Sequence, residues 1–546
     1  MARYLDGALR IGGQPDRPLL IAGAPVSAAV GSAALFAPAI SGGTAPYALT
    51  LVSGALPAGR SLAGLAVTGT YSAAGSFSYV LRATDAAGAN ATLPVAETVS
   101  AAATALPATG AMVARFSASS IPAQPDNSPL TSWTDLINGV VATQAGTGGQ
   151  PKYRTNRLNG KPSVQFSGAQ ALVAVASGTA YDAALKSQNY TIMIVGQALS
   201  ATANGMLLSA SQTADNRLLL YGNGSRIGRF DGVGNALAVP SAPLGSGLFT
   251  SGVTSTTGRT GLVAGLERIW VNGGCVAASR SSAGPASSAD LGLGGASNLA
   301  GGYCGAFEAF EFVIYNRELT PAEAVQFAKW ACDQYGQPYF YASAPFIFVA
   351  DGDSSTQGAN ADAEEYSYPS IAAAAMSLPY GAYFNLGVFG CSLTQMIARG
   401  GNDVDPLLGA FPGKTVKLAG LEWYNSENLG ENTATNSTSY VNARVAAGWS
   451  KVCWGTSVTF SQGVNPTLYA SGKRAAYNSY WAANAGLVTA LARTDLNANV
   501  GVDGACPASA PYGTYWSGDG LHPSGHAGAS GYREIAGVFA PLVQAM

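Results

Sequence analysis

Two histidines, His522 and His526, make up the whole imidazole complement of this 546-residue chain. Both sit in the run Asp-Gly-Leu-His-Pro-Ser-Gly-His-Ala-Gly that begins at Asp519. Any chemistry that needs an imidazole base near neutral pH must use one of them. Asp519 lies three positions before His522 in a turn bounded by Gly and Pro. That spacing can fold the carboxylate onto the ring and hold the tautomer whose other nitrogen accepts a proton. Taken alone, the pattern is also that of an ordinary surface turn. A second feature gives it weight: Gly352-Asp353-Ser354 follows the apolar run Phe346–Ala350. Such a run reads as a buried parallel strand, which places Ser354 at the strand's C-terminal end, where α/β sheets carry their sites. Backbone N–H groups at that turn, Ser354's own included, are free to hold an oxyanion. The set is therefore a hydroxyl nucleophile, an imidazole base and an orienting carboxylate. No Gly-x-Ser-x-Gly elbow occurs.

Neighbouring polar residues read more plainly. Asp353 braces its own turn, His526 faces solvent or caps the last helix, and Glu427 suits a loop salt bridge. Cys391 suits a small buried residue, having no second imidazole to activate it.

The elements that must position these residues span several domains, since a single core rarely organises so long a chain. Hydrophobic residues at 48% exclude a disordered chain, and charged residues at 11% fall far below the usual level of about 25%. Gly (69 residues) and short polar side chains take their place, as in a strand- and turn-rich protein. A net charge of −2 without a basic run gives nucleic-acid phosphates nothing to bind. The stretch Leu19–Ile40 is broken by Pro25, Pro38 and glycines, so no membrane insertion is expected, and no signal peptide is seen. Six dispersed cysteines without a Cys-x-x-Cys pair argue against a metal site, and Cys275 with Cys304 is the one candidate disulfide.

Along the chain, residues 1–17 read as an N-terminal arm. In 18–100, short alternating runs such as Phe77–Thr84 end in turns such as Asp85-Ala86-Ala87-Gly88. That segment resembles the Ig-like β-sandwich modules of bacterial surface and phage proteins, which serve as spacers or adhesion units. Residues 101–110 read as a linker. In 111–341, Tyr190–Val195, Arg217–Tyr221 and Arg268–Gly274 are strand candidates. A strand over Phe307–Tyr315 then runs into a helix with Thr320 as N-cap, Pro321 at its first position and Glu323 closing a capping box. This segment resembles the laminin-G/concanavalin A-like jelly rolls, a resemblance that implies a two-sheet sandwich, often carbohydrate-binding, with a purely structural role as the alternative. From 342 to 546, strands expected at Phe346–Ala350, Ala382–Leu386, Val416–Trp423 and Val452–Thr459 alternate with helices at Ser367–Leu378, Ala475–Arg493 and Ala527–Met546. That alternation argues for a three-layer α/β sandwich with a parallel sheet.

The blocks Asp-Gly-Asp-Ser-Ser-Thr-Gln-Gly, around Ser354, and Asp-Gly-Leu-His, at Asp519–His522, together resemble the SGNH (GDSL-like) hydrolases over residues 345–546. The resemblance implies Ser354 as nucleophile, His522 as base and Asp519 as its orienting partner. It also implies Gly390, in Asn-Leu-Gly-Val-Phe-Gly-Cys, as an oxyanion-hole N–H donor. The family's Gly-x-Asn-Asp block is absent. In its place Glu-Trp-Tyr-Asn-Ser-Glu-Asn is closer to the Trp-x-Gln-Gly-Glu run of the sialate O-acetylesterase-like branch. On that alignment Asn425 is the side-chain oxyanion donor, and Asn428 is the rival if the loop is shifted; Asn425 is preferred. The implied activity is a cofactor-free serine esterase. Its expected substrate is an O-acetylated bacterial surface polysaccharide or another ester. The expected setting is an extracellular or virion-associated phage or prophage tail protein, a homotrimer by analogy. The competing reading is a non-catalytic carbohydrate-binding adhesin or receptor-binding protein; a lipase ranks last, because no long apolar lid insertion is seen.

Overall fold

The computed structural model describes residues 18–546 apart from 26–27, 101–103, 145–148, 176, 200–204, 214–215, 223–225, 231–235, 241–246, 263–264, 280–289 and 296–303. The N-terminal arm 1–17 lies outside the described residues. By internal packing the chain divides into two units, Met1–Thr104 and Ala105–Met546.

In the first unit, a four-stranded sheet (Ala28–Ala29, Asn90–Ser100, Gly75–Thr84, Ala48–Gly54) accompanies a three-stranded sheet (Ala33–Phe36, Ala66–Thr70, Arg60–Ala63). Phe77–Thr84 alternates because one face must meet the core: Tyr79, Leu81 and Ala83 are buried with Val67 and Val95. The turn at Asp85 holds because its carboxylate accepts from Ala87 N at 3.0 Å, Ala89 N at 2.8 Å and Thr44 N at 2.8 Å.

The second unit contains both remaining segments. Residues 105–110, expected to belong to a linker, pack with it; Gln326 Nε2 donates to Ala105 O at 2.9 Å. Two antiparallel sheets, of nine and eight strands among the described residues, form the first segment. Trp133 of one sheet packs edge-on against Phe116 and Phe312 of the other, with ring centroids 6.1 and 5.7 Å apart. The capping box at Thr320 and Glu323 starts helix Pro321–Gln334. Asn272 and Gly273 turn the hairpin between Leu266–Val271 and Gly274–Ser279. Cys275 is a buried thiol, and no disulfide joins it to Cys304.

The last segment has a five-stranded parallel sheet built from β1 (Ile347–Gly352), β2 (Tyr383–Asn385), β3 (Val416–Leu421), β4 (Val452–Gly455) and β5 (Ala490–Ala492), in the order β2-β1-β3-β4-β5. Adjacent strand residues face opposite ways. On β4, Trp454 meets Tyr440 and Trp481 of helices Thr433–Ala446 and Lys473–Ala483, whereas Gly455 abuts Phe539 of helix Gly531–Ala545. Helices therefore cover both faces of the sheet, giving three layers. The helix expected over Ala475–Arg493 stops at Ala483; a short turn (Ala485–Leu487) then leads into β5. Pairing of Ala490–Ala492 with β4 overrides the helix propensity of an alanine-rich run.

The two segments share one apolar core and a chain of buried charges. Arg399 is bonded to Asp351 at the end of β1 and donates to Gly352 O at 3.1 Å. Asp351 also accepts from Tyr440 OH at 2.6 Å. Asp403 lies 3.6 Å from Arg399 and accepts from Arg268 at 2.8 Å and Arg259 at 2.7 Å, both from the sandwich segment. Both arginines also pair with Glu318. Burial pushes the Asp403 carboxyl up, but Arg268, Arg259 and Arg399 outweigh it and hold the group well below the usual carboxylate range.

Breaking a buried pair leaves an uncompensated charge. Arg399→Met is therefore expected to cost about 3–5 kcal/mol, read by urea denaturation at pH 7. Asp403 titrates lower folded than unfolded, so its contribution is intact above about pH 4 and is lost as pH falls through its folded value. Acid unfolding monitored by circular dichroism checks that limb.

Candidate active site

In the parallel sheet, β1 lies between β2 and β3, so successive connections leave it in opposite directions and open a crevice at its C-terminal end. The sequence turns sharply there. A Cβ on Gly352 would lie 2.2 Å from Thr356 Oγ1 and 2.3 Å from Leu421 O, so only glycine lets the chain pass. Asp353 then caps α1 (Ser354–Gln357), accepting from Ser355 N at 2.8 Å. Ser354, as the first residue of α1, has an N–H with no intrahelical acceptor.

Across 168 residues of sequence, His522 Nε2 lies 2.9 Å from Ser354 Oγ. On the other side of the ring, His522 Nδ1 lies 2.5 Å from Asp519 Oδ2. Asp519 is fixed in turn. Its Oδ1 accepts from Ser517 Oγ at 2.5 Å, Leu521 N at 2.9 Å and His522 N at 3.0 Å, and its Oδ2 from Asn360 Nδ2 at 2.7 Å. Burial raises the Asp519 carboxyl, but hydrogen bonds from His522, Ser517 and Leu521 prevail and keep it well below its ordinary value. An ionised carboxylate against Nδ1 leaves Nε2 to accept the Ser354 proton. Phe389 packs beside the imidazole, with centroids 6.0 Å apart.

The other residues singled out in the sequence divide. Gly390 adopts φ 68° in the loop after β2, next to Phe389. That loop is tied down by Val388 N to Gly352 O (3.0 Å) and Cys391 N to Val388 O (3.1 Å), bonds that leave the Gly390 peptide out. Asn425 comes to the turn that carries Ser354: its Nδ2 donates to Asp353 Oδ2 at 2.9 Å, leaving that nitrogen a second hydrogen. Asn428, one helical turn on, instead accepts from Asn465 Nδ2 at 3.0 Å in an exposed contact. Glu427 pairs with Lys473 and accepts from Thr433 Oγ1. His526 lies 3.3 Å from Thr514 O in an exposed contact. Cys391 is fully buried, and burial pushes its thiol up to about 11.

Sequence reasoning missed Asn360, Ser517 and Glu422. Nothing in their local sequence marks the first two; Glu422 directly follows β3, which is a signal of place only. Glu422 is buried in the cleft wall, accepting from Asn425 N (2.8 Å) and Ser426 Oγ (2.6 Å). Burial, then the neighbouring Asp353 charge, raises its carboxyl well above the usual range. Asp353 is pushed up to about 6 by burial, against the pull of Ser355 N–H and His522. The cleft that Ser354 and His522 open onto measures about 450 Å³, open solvent at its mouth included, and is walled by Trp423, Tyr424, Val458 and Phe460. Among the described residues no group of three His, Cys, Asp or Glu side chains is placed to hold a metal ion, and no helix is long and apolar enough to cross a membrane.

Residues 14–100 match the family model described as "Putative Ig domain". No curated protein matches the chain. Among solved structures, a Trypanosoma rangeli sialidase in complex with sialic acid is similar at 16% identity and a TM-score of 0.31, over 41% of this chain and 33% of that one. The chain thus spans about a third of that sialidase. Domain 4 of AbnA, a GH43 extracellular arabinanase from Geobacillus stearothermophilus, in complex with arabinotriose, is similar at 13% identity and a TM-score of 0.30, over 40% and 98%. The CBM40 of Ruminococcus gnavus IT-sialidase bound to α2,3 sialyllactose is similar at 17% identity and a TM-score of 0.25, over 30% and 94%.

The raised Asp353 carboxyl makes a prediction. A folded pKa above the unfolded one means that stability falls as pH rises from about 4 through about 6. Asp353→Asn removes that titration. Urea unfolding at pH 4.5 and pH 7 should show the variant losing less stability across the interval than the wild type.

Proposed function

We propose that residues 342–546 form a serine esterase of SGNH type, with Ser354 as nucleophile, His522 as base and Asp519 as its orienting carboxylate. The observation that carries this reading is the Ser354 Oγ–His522 Nε2 contact at 2.9 Å, continued to Asp519 at 2.5 Å. A hydroxyl 168 residues away in sequence meets the Asp519–His522 pair in the order that nucleophilic catalysis needs.

In the reaction, Nε2 takes the Ser354 proton as Oγ attacks the ester carbonyl. The carbonyl π electrons move onto oxygen, and the resulting oxyanion is met by the N–H groups of Ser354 and Gly390 and by the second hydrogen of Asn425 Nδ2. Collapse expels the alcohol, which leaves with the proton from His522, and an acyl-serine remains. Water then gives its proton to His522, attacks the acyl carbon, and the acid departs as Ser354 regains its hydrogen. Asp353 takes no proton in this scheme: it caps α1 through Ser355 N and holds the Asn425 amide beside the Ser354 turn.

The substrate class follows from the architecture. An Ig-like module and a two-sheet sandwich in one chain with an esterase suit a protein that holds a polysaccharide while removing its O-acetyl groups, outside the cell or on a virion. The departure at Asn425 from the usual Gly-x-Asn-Asp block favours one other reading, a carbohydrate-binding adhesin without turnover.

Hydrolysis of p-nitrophenyl acetate by wild type and Ser354→Ala separates the two. The esterase reading expects Ser354→Ala to lose kcat/KM by about 10⁶-fold and Asp519→Asn by about 10⁴-fold. Asn425→Ala is expected to lose about 10²–10³-fold, the usual effect of one oxyanion donor. Equal rates for wild type and Ser354→Ala, or none in either, would leave the adhesin.

A further inference from the structure

Two polar side chains in the wall of the cleft have no hydrogen-bond partner among the described residues: Trp423 at Nε1 and Thr459 at Oγ1. Trp423 is 3% exposed and Thr459 1%. Both line the same cleft as Ser354 and His522. They arrive from neighbouring strands, Trp423 just past β3 and Thr459 four residues past β4. Both are anchored by their neighbours. The Trp423 ring packs on Phe460 and Tyr477, with centroids 6.2 and 6.5 Å away, and Thr459 N donates to Val500 O at 2.9 Å.

Other buried indoles of the segment find acceptors. Trp449 donates to Asp405 at 2.9 Å, Trp454 to Tyr477 OH at 2.9 Å and Trp481 to Ser437 Oγ at 3.0 Å. Trp516 shares the lack of a partner with Trp423 but does not line the cleft. A buried donor is costly to leave unmade, so an indole N–H and a hydroxyl left unpaired in two residues that line one cleft point to a group that arrives with the ligand.

We propose that Trp423 and Thr459 form an oxygen-binding subsite beside Ser354, which takes a hydroxyl or carbonyl oxygen carried by the substrate next to its scissile ester. The inference rests on the esterase reading and adds the kind of substrate to it. An indole N–H only donates, so the incoming atom must accept; a hydroxyl can donate or accept, so it serves either kind of oxygen. A plain alkyl group in the same place would keep both polar atoms dry and unpaired, and the site selects against it. The oxygen comes either from the acyl group, as in a 2-hydroxyacyl ester, or from the alcohol, as in a sugar with a hydroxyl beside the esterified carbon.

Two substrate pairs distinguish these sources. For the acyl side, kcat/KM is measured on p-nitrophenyl glycolate and p-nitrophenyl acetate. For the alcohol side, it is measured on a methyl glucoside monoacetate and cyclohexyl acetate. Wild type should favour the oxygen-bearing member of one pair. Trp423→Phe, which keeps the ring and removes the N–H, should lower that preference tenfold or more, and the near-isosteric Thr459→Val should do the same. The readout is a ratio within one enzyme preparation, so a partly unfolded variant does not mimic the effect. A wild type without preference in either pair, or a preference unchanged in both variants, overturns the subsite while leaving the esterase intact. Absence of turnover by wild type on all four esters overturns the esterase reading and the subsite with it.

Discussion

The chain of buried charges from the sandwich to the end of β1 is the constraint on which the second unit depends. Asp351, Arg399 and Asp403 lie in the interior, where an unpaired ion is prohibitively costly. Arg268 and Arg259 compensate Asp403, and Glu318 compensates them in turn. Three arginines thus meet three carboxylates, and no net charge is left buried. Half of the set comes from the sandwich segment and half from the α/β segment. Neither segment can withdraw without stranding ions in an apolar interior, and this explains why they form one unit rather than a module and its neighbour.

The same chain reaches the turn before Ser354. Arg399 holds both the Asp351 carboxylate and the Gly352 carbonyl, and Gly352 O also receives Val388 N from the loop that carries Gly390. On its other flank, α1 is tied to the sandwich by Gln357 Nε2 donating to Ala278 O at 2.8 Å, while Cys275 Sγ lies 3.1 Å from Asn385 O of β2. The turn before Ser354 is therefore determined from both sides. A serine hydroxyl placed within hydrogen-bond reach of an imidazole tolerates little drift, and rigid supports of this kind supply the needed precision. In the proposed esterase the sandwich is part of the catalytic scaffold, whatever else it binds.

Much of the α/β segment was legible because its signals are local. Phe346–Ala350 is a continuous apolar run, which a parallel strand covered on both faces requires, and β1 occupies Ile347–Gly352. The scarcity of histidine narrowed the base to two positions, and Asp519 lies against the nearer of them because a three-residue spacing in a turn suffices. The helix read into Ala475–Arg493 was wrong past Ala483, because the pairing that makes β5 comes from β4, some forty residues away in sequence. The buried charge chain was illegible for the same reason. Arg268 sits in a strand and Arg399 on a helix, and nothing in either local sequence says that one carboxylate, Asp403, joins them. Asn360 and Ser517 are likewise ordinary polar residues until the fold sets them around Asp519.

Three carboxyls near His522 could have competed for its proton or its charge, and their environments sort them. Asp519 accepts from backbone and side-chain donors and stays anionic far below its usual range. Glu422 is buried beside another acid and is driven toward the neutral form. Asp353, buried but linked to Ser355 N–H and Asn425, lies between them at about 6. A full negative charge on both Glu422 and Asp353 would repel within the same wall and would oppose an oxyanion forming at the neighbouring serine. A protonated Glu422 removes most of that opposition while still bonding the Ser426 hydroxyl, and the one carboxylate that must be charged is the one whose donors keep it so. In the proposed esterase, this division of protons among the acids eases a developing negative charge on a substrate oxygen.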